Sequence, residues 1–424
     1  MFKKEWASLT LAALSAFCVY TCMYAFRKPF TAANFSSSSF LSIDYKVWLV
    51  IAQTIGYTLS KFYGIKFIAE LKTERRPLLI LSFIGAGWVA LFFFAVTPAP
   101  FNILFLLLNG FALGVIYGLV FSYLEGRRST ELLGAVLATS FIFASGFTQS
   151  VGKYILLHWN VSEWWMPFVT GAVFLIPTII FTLLLDKTPR PNAKDIEQRT
   201  QRLPMTREER KLFIRTFFPG LVMLIITYIL LTVIRDYRSN FASNIWAELG
   251  EGNNAAVFTQ SELPASLVTL FLLGMLVLIK NNRKALMINH LIIAAGFLLS
   301  IFTTILYQNG TISAFWWMTI VGVGMYMGYV PFNAMLFERL IASFKYVSNA
   351  GFLIYLADSF GYLGSDAVLL VKSFMKLNVS WTTFFATMVL VLSSIGIVLI
   401  TLSALYFRAK FLSTKIKTGG LSYV

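Results

Sequence analysis

Uncharged or nearly uncharged stretches of spanning length recur twelve times along the chain. They fall at about 7–34, 47–69, 77–97, 101–124, 132–157, 164–185, 213–246, 257–279, 285–307, 313–337, 347–371 and 382–407. Roughly 20 apolar residues suffice for an α-helix to cross a bilayer, so the pattern predicts twelve transmembrane helices. One long hydrophilic segment, 186–212, interrupts it, rich in charge and carrying Pro189, Pro191 and Pro204. The expected organisation is a six-helix bundle over 1–185, a linker over 186–212, and a second six-helix bundle with a short tail over 213–424. The fold class is therefore all-α and polytopic.

The two halves repeat one another. Arg27 and Arg235 end long uncharged runs 208 positions apart, and Tyr20 and Tyr228 are separated by the same interval, as are Arg75 and Arg283. Positions i, i+4 and i+7 share one face of a helix. Tyr20, Tyr24 and Arg27 thus form one stripe, and Tyr228, Thr232 and Arg235 another. Arginine inside an apolar span is costly and is retained where it faces protein or water, so a symmetry-related pair suggests a shared anionic ligand. Twenty uncharged residues before Arg27 would lift it to the interface, unless the helix continues past Pro29 and leaves it inside. The uncharged run Phe241–Ala247 allows the same for Arg235. Parallel repeats of this kind place substrate between the halves near the midplane.

Composition excludes a water-soluble domain, since 58% of residues are hydrophobic and 13% charged. The net charge of +16 follows the positive-inside pattern rather than a nucleic-acid partner: 25 of 35 Lys and Arg lie in the termini and alternate loops. Both termini are expected to be cytoplasmic, in a plasma (inner) membrane, and the protein monomeric. Lys3 and Lys4 precede an apolar run longer than a signal-peptide core with no small-x-small cleavage site, so that run is kept as the first span. Cys18 and Cys22 read as small apolar residues. No metal-ligand set, cofactor motif or nucleophile–base pair appears, and no catalysis is expected. The pairs Trp164–Trp165 and Trp316–Trp317 read as interfacial belts.

A resemblance now narrows the class. Tyr20-x3-Tyr24-x2-Arg27-Lys28, Tyr57-Thr-Leu-Ser-Lys61-Phe62, Gly110 and Gly114, Arg235, Tyr326 and Phe360-Gly-Tyr-Leu-Gly364 resemble, in order and spacing across both halves, the organophosphate:phosphate antiporters of the major facilitator superfamily. That resemblance implies phosphate held by Arg27 and Arg235, with Lys61, Tyr20, Tyr24, Tyr57, Tyr326 and Tyr362 around it. The chemistry agrees, because a guanidinium fork donates paired hydrogen bonds to phosphate and tyrosine adds neutral donors.

The chain also departs from that family. Its fifth-span histidine would fall near Ala144, and the only histidines here are His158 and His290. Asp236 and Asp358 are acids that could partly neutralise the site or carry a coupling proton. The expected activity is exchange of a phosphorylated metabolite for phosphate. The alternatives are proton-coupled transport of another organic anion, and a sugar-phosphate sensor that binds without flux.

Overall fold

The computed structural model of the chain describes residues 2–69, 75–125, 127, 129–189, 207–344, 350–374 and 379–419. Most of the expected linker 186–212, and part of the loop between the second and third spans, lie outside the described residues. Every expected span meets a helical segment. These are α1 (Phe2–Tyr24), α2 (Tyr45–Ala69), α3 (Arg76–Val96), the pair α4 (Ile103–Leu113) and α5 (Ile116–Phe121), α6 (Thr130–His158) and α7 (Met166–Asp186). They continue with α8 (Arg207–Asn240), the short α9 (Ala242–Glu248), α10 (Val257–Val277), α11 (Asn282–Gln308), α12 (Ala314–Pro331), α13 (Phe337–Ser343), α14 (Ala350–Phe374) and α15 (Trp381–Gly419).

Among the described residues, nine helices are long and apolar enough to cross a membrane, and the protein is an all-α polytopic membrane protein. A two-stranded hairpin, β1 (Ser39–Phe40) with β2 (Ile43–Asp44), closes the loop before α2.

The chain packs as two compact units that differ from the sequence halves. The first contains Met1–Arg199, Asp236–Leu270 and Asp366–Phe385; the second contains Thr200–Arg235, Phe271–Ser365 and Ala386–Val424. Within the first, α2 and α4 meet without intervening side chains. A Cβ on Gly110 would lie 2.1 Å from the Gln53 carbonyl oxygen, and one on Gly56 would lie 2.0 Å from that of Leu107. Within the second, α11 and α12 meet the same way, a Cβ on Gly296 falling 2.2 Å from the Gly324 carbonyl oxygen. Apolar burial gives little drive for helix association in lipid, so such small-residue seams hold spans by close backbone contact.

The tryptophan expectation is half corrected. Trp316 is exposed, but Trp317 is fully buried, stacked on Tyr307 at 4.2 Å with Nε1 donating to Thr304 at 3.1 Å. Trp164 packs on Phe35, Tyr45 and Phe94, while Trp165 remains exposed. Adjacent residues on a helix point about 100° apart, so on α12 Trp317 faces the protein while Trp316 faces out.

Candidate functional site

In the first unit the stripe containing Arg27 is not a continuous helix. α1 ends at Tyr24, and the next amides bond three residues back, from Ala25 to Cys22, Phe26 to Met23 and Arg27 to Tyr24. A short 3₁₀ turn, Pro29–Ala32, follows. Lys28 before it keeps helical backbone, but Pro29 has no N–H to bond back along the helix, and only the 3₁₀ turn follows in place of the expected continuation.

A helix that stops in apolar surroundings leaves carbonyls to be satisfied. Here two buried amides do so. Asn109 Nδ2 donates to the Phe26 and Gly87 carbonyls at 2.9 Å, and Gln53 Nε2 donates to the Arg27 carbonyl at 2.9 Å and to Asn109 Oδ1 at 2.8 Å. The backbone of Arg27 is thus pinned by α2 and α4. Its guanidinium lies over the Tyr57 ring at 3.8 Å and near the Tyr24 ring at 5.6 Å. Tyr57 also carries Lys61, with Nζ 5.2 Å from the ring centre. Tyr20 stands edge-on to Tyr24 and to Tyr117, each at 5.4 Å. Arg27, Lys61, Tyr20, Tyr24 and Tyr57 therefore belong to one cluster, with Tyr117 added to it.

In the second unit the stripe is helical, as expected, because α8 runs on to Asn240. Thr232 back-bonds its hydroxyl to the Tyr228 carbonyl at 2.8 Å, and Gly361 of α14 packs against both residues. Arg235 lies over the Tyr329 ring at 4.1 Å and near Tyr362 at 5.8 Å. Cation–ring contacts of this kind contribute about 0.5–2 kcal/mol each. Tyr326 is fully buried on α12, one turn before Tyr329.

Tyr228 is the hub of the second cluster. Its hydroxyl donates to the Asp358 carboxylate, accepts from Asn333 Nδ2 at 3.0 Å and shares a 2.9 Å hydrogen bond with the Tyr329 hydroxyl. A phenol has one donor and two acceptor sites, so this hydroxyl is fully used. Asn333 reaches it from a π-helical segment, Phe332–Leu336, that follows Pro331. Proline disrupts the helical ladder, and the wider turn re-aims the following side chains. Asp236, half-buried in the first unit, lies within electrostatic reach of Asp366, whereas Asp358 sits on Tyr228 in the second.

Sequence reasoning missed Tyr117, Tyr329, Asn333, Gln53 and Asn109. Tyr329 had a legible signal, its position one helical turn from Tyr326. The others had none, because their partners lie on helices remote in sequence. Tyr228→Phe is expected to lower stability by about 1–3 kcal/mol, since the buried Asp358 loses a donor and Asn333 an acceptor. Thermal unfolding of Tyr228→Phe beside Tyr228→Phe/Asp358→Asn checks this, with partial recovery expected in the double variant.

These clusters sit in an integral membrane protein with a major-facilitator-like helical fold. The chain aligns over 93% of its length with 96% of a D-xylose-proton symporter, at 14% identity and a TM-score of 0.62. It aligns over 95% of its length with 96% of a POT family transporter solved with a thioalcohol-conjugated peptide, at 11% identity and the same TM-score of 0.62. At these identities the likeness is one of fold. The chain belongs to the family of unknown function DUF5690, which it matches over residues 29–410. No curated protein matches the sequence.

Proposed function

We propose that the protein is a secondary transporter for a small organic anion, exchanging a phosphorylated metabolite for phosphate by alternating access, without catalysis or cofactor. One observation carries the reading. An arginine stands seven residues after a tyrosine in each sequence half, at an interval of 208, and each guanidinium lies against tyrosine rings. A ring under the guanidinium fixes its plane, and planar forked donors suit phosphate better than an ammonium does. Arg27 and Arg235 are the proposed phosphate ligands, with Lys61, Tyr20, Tyr24, Tyr57, Tyr326 and Tyr362 around the substrate. The working arrangement is a monomer of bundles 1–185 and 213–424 joined by 186–212, with both termini cytoplasmic in the plasma (inner) membrane.

Exchange follows from the charges. Two cations drawn to about 10 Å at an effective dielectric near 20 repel by roughly 1.7 kcal/mol. A shared anion removes that penalty, so the loaded carrier reorients and the empty one does so poorly. Purified protein is expected to gain thermal stability with phosphate and phosphorylated sugars but not with non-phosphorylated acids. No stabilisation by any phosphate compound would overturn the substrate class.

A second reading, proton-coupled uptake of another organic anion, is favoured by the contact of Tyr228 with the buried Asp358. Asp236 is its other candidate acid. Uptake into vesicles driven by a pH gradient, with no counter-anion inside, would select it.

A further inference from the structure

In the first unit a repeated dipeptide holds two buried lysines. Residues 238–244 read Arg-Ser-Asn-Phe-Ala-Ser-Asn, which places Ser239-Asn240 one helical turn before Ser243-Asn244. Lys28 Nζ donates to Ser239 Oγ at 2.8 Å and to Asn240 Oδ1 at 2.5 Å. Lys46 Nζ donates to Ser243 Oγ at 2.6 Å, to Asn244 Oδ1 at 2.8 Å and to the Thr31 carbonyl at 2.8 Å. Gln149 of α6 ties in by donating to Thr31 Oγ1 at 2.5 Å and to the Ser239 carbonyl at 2.7 Å. These acceptors are all neutral and do not titrate near physiological pH. None of these acceptors is a proton-binding carboxylate.

The residue next to the clamp contacts one. Arg238 is 2% exposed and donates to Glu262 Oε1, and Glu262 is itself 6% exposed. Glu262 Oε2 is buried with no hydrogen-bond partner among the described residues. Glu262 lies in the second turn of α10, in the part of that helix that packs with the first unit. The charged groups facing it are Arg238 on α8 and Lys28 from the turn after α1. α6 meets it with Gly146, where an added Cβ would fall 2.7 Å from Glu262 Cγ. One carboxylate therefore opposes two cations, one of which is the lysine of the first clamp.

We propose that Glu262 is a proton-binding site governing this clamp: ionised, it holds Arg238 and Lys28 in place, and protonated at Oε2 it releases the Ser239–Asn240 clamp. The step moves one proton from solution onto a carboxylate oxygen and breaks no covalent bond. Its sign is fixed. The clamp is closed at neutral pH and opens as the pH falls, because a neutral acid no longer offsets the buried cations. The proposal rests on the alternating-access reading but not on the identity of the anion.

A buried reporter tests it without any substrate. Ala242→Cys, between the two Ser-Asn pairs and buried, is placed in a Cys18→Ser/Cys22→Ser background in nanodiscs. Its rate of maleimide labelling is divided by that of the exposed Ser37→Cys, which cancels the reagent's own pH dependence. The ratio is expected to rise by about tenfold or more as the pH falls through the carboxylate range. With Glu262→Gln it should be high and flat with pH, and with Glu262→Asp, which keeps the carboxyl, it should stay pH-dependent. A flat ratio in the parent overturns the proposal, as does a Glu262→Gln ratio that follows the parent's pH dependence. Failure of phosphate to bind would leave these outcomes unchanged, so the two readings fail separately.

Discussion

Arg27→Ala and Arg235→Ala are each expected to weaken phosphate binding by about 100-fold while leaving the protein folded. Two charge-assisted hydrogen bonds from one guanidinium contribute about 3 kcal/mol together, and 1.4 kcal/mol is a factor of ten. The loss should be large for both variants, because the proposed anion draws on both arginines, and exchange of labelled phosphate in proteoliposomes should fall to background. Lysine is the informative control. Arg27→Lys keeps the charge over the Tyr57 ring but not the planar fork, so it should recover part of the affinity and little of the discrimination against carboxylates. Retention of the parent exchange rate by correctly folded Arg27→Ala and Arg235→Ala variants would sink the anion reading.

Gly110→Val and Gly296→Val are expected to abolish the folded protein altogether. At Gly110 a Cβ would sit 2.1 Å from a carbonyl oxygen of α2, and at Gly296 2.2 Å from one of α12. Both atoms are backbone, so no rotamer change relieves the clash. Separating two helices would forfeit contacts along the whole seam, and overpacking even one site costs about 1–3 kcal/mol before such propagation. Gly85→Ala and Gly274→Ala are the matched controls, since nothing lies within 4 Å of a Cβ at either. They should express and melt like the parent or slightly better, alanine being the stronger helix former. Size-exclusion profiles and melting curves for the four variants decide the matter. A monodisperse Gly296→Val protein with the parent's melting temperature would show that α11 and α12 do not depend on that contact.

The candidate site was unevenly legible. Arg27 and Arg235 stood out because a charge in an apolar run is conspicuous on the page, and Tyr24, Tyr57 and Tyr362 followed from spacing and resemblance. Tyr329 lay within reach of the same argument, one turn from Tyr326, yet the resemblance pointed to the earlier tyrosine. Asn333 was illegible, since it meets Tyr228 only through the π-helical segment after Pro331. The expected path of α1 past Pro29 also failed. The amides that stabilise its early stop, Gln53 and Asn109, belong to helices whose place beside Arg27 no local pattern reports. Lys28 and Lys46 looked like ordinary cations of a loop and a helix start. Their burial against a Ser-Asn repeat about 200 positions away appears only in the fold.

By itself the sequence determined the polytopic all-α class, the repeat at 208 residues and the two arginines inside apolar runs, because the preference for lipid or water is set residue by residue along the chain. The tertiary structure alone decided where α1 stops, which tyrosine rings carry the guanidiniums, which acid Tyr228 touches and that Glu262 pairs with Arg238. Each of these depends on what a side chain meets from a helix distant in sequence. Hydropathy and spacing, being properties of one segment at a time, contain no information about that meeting.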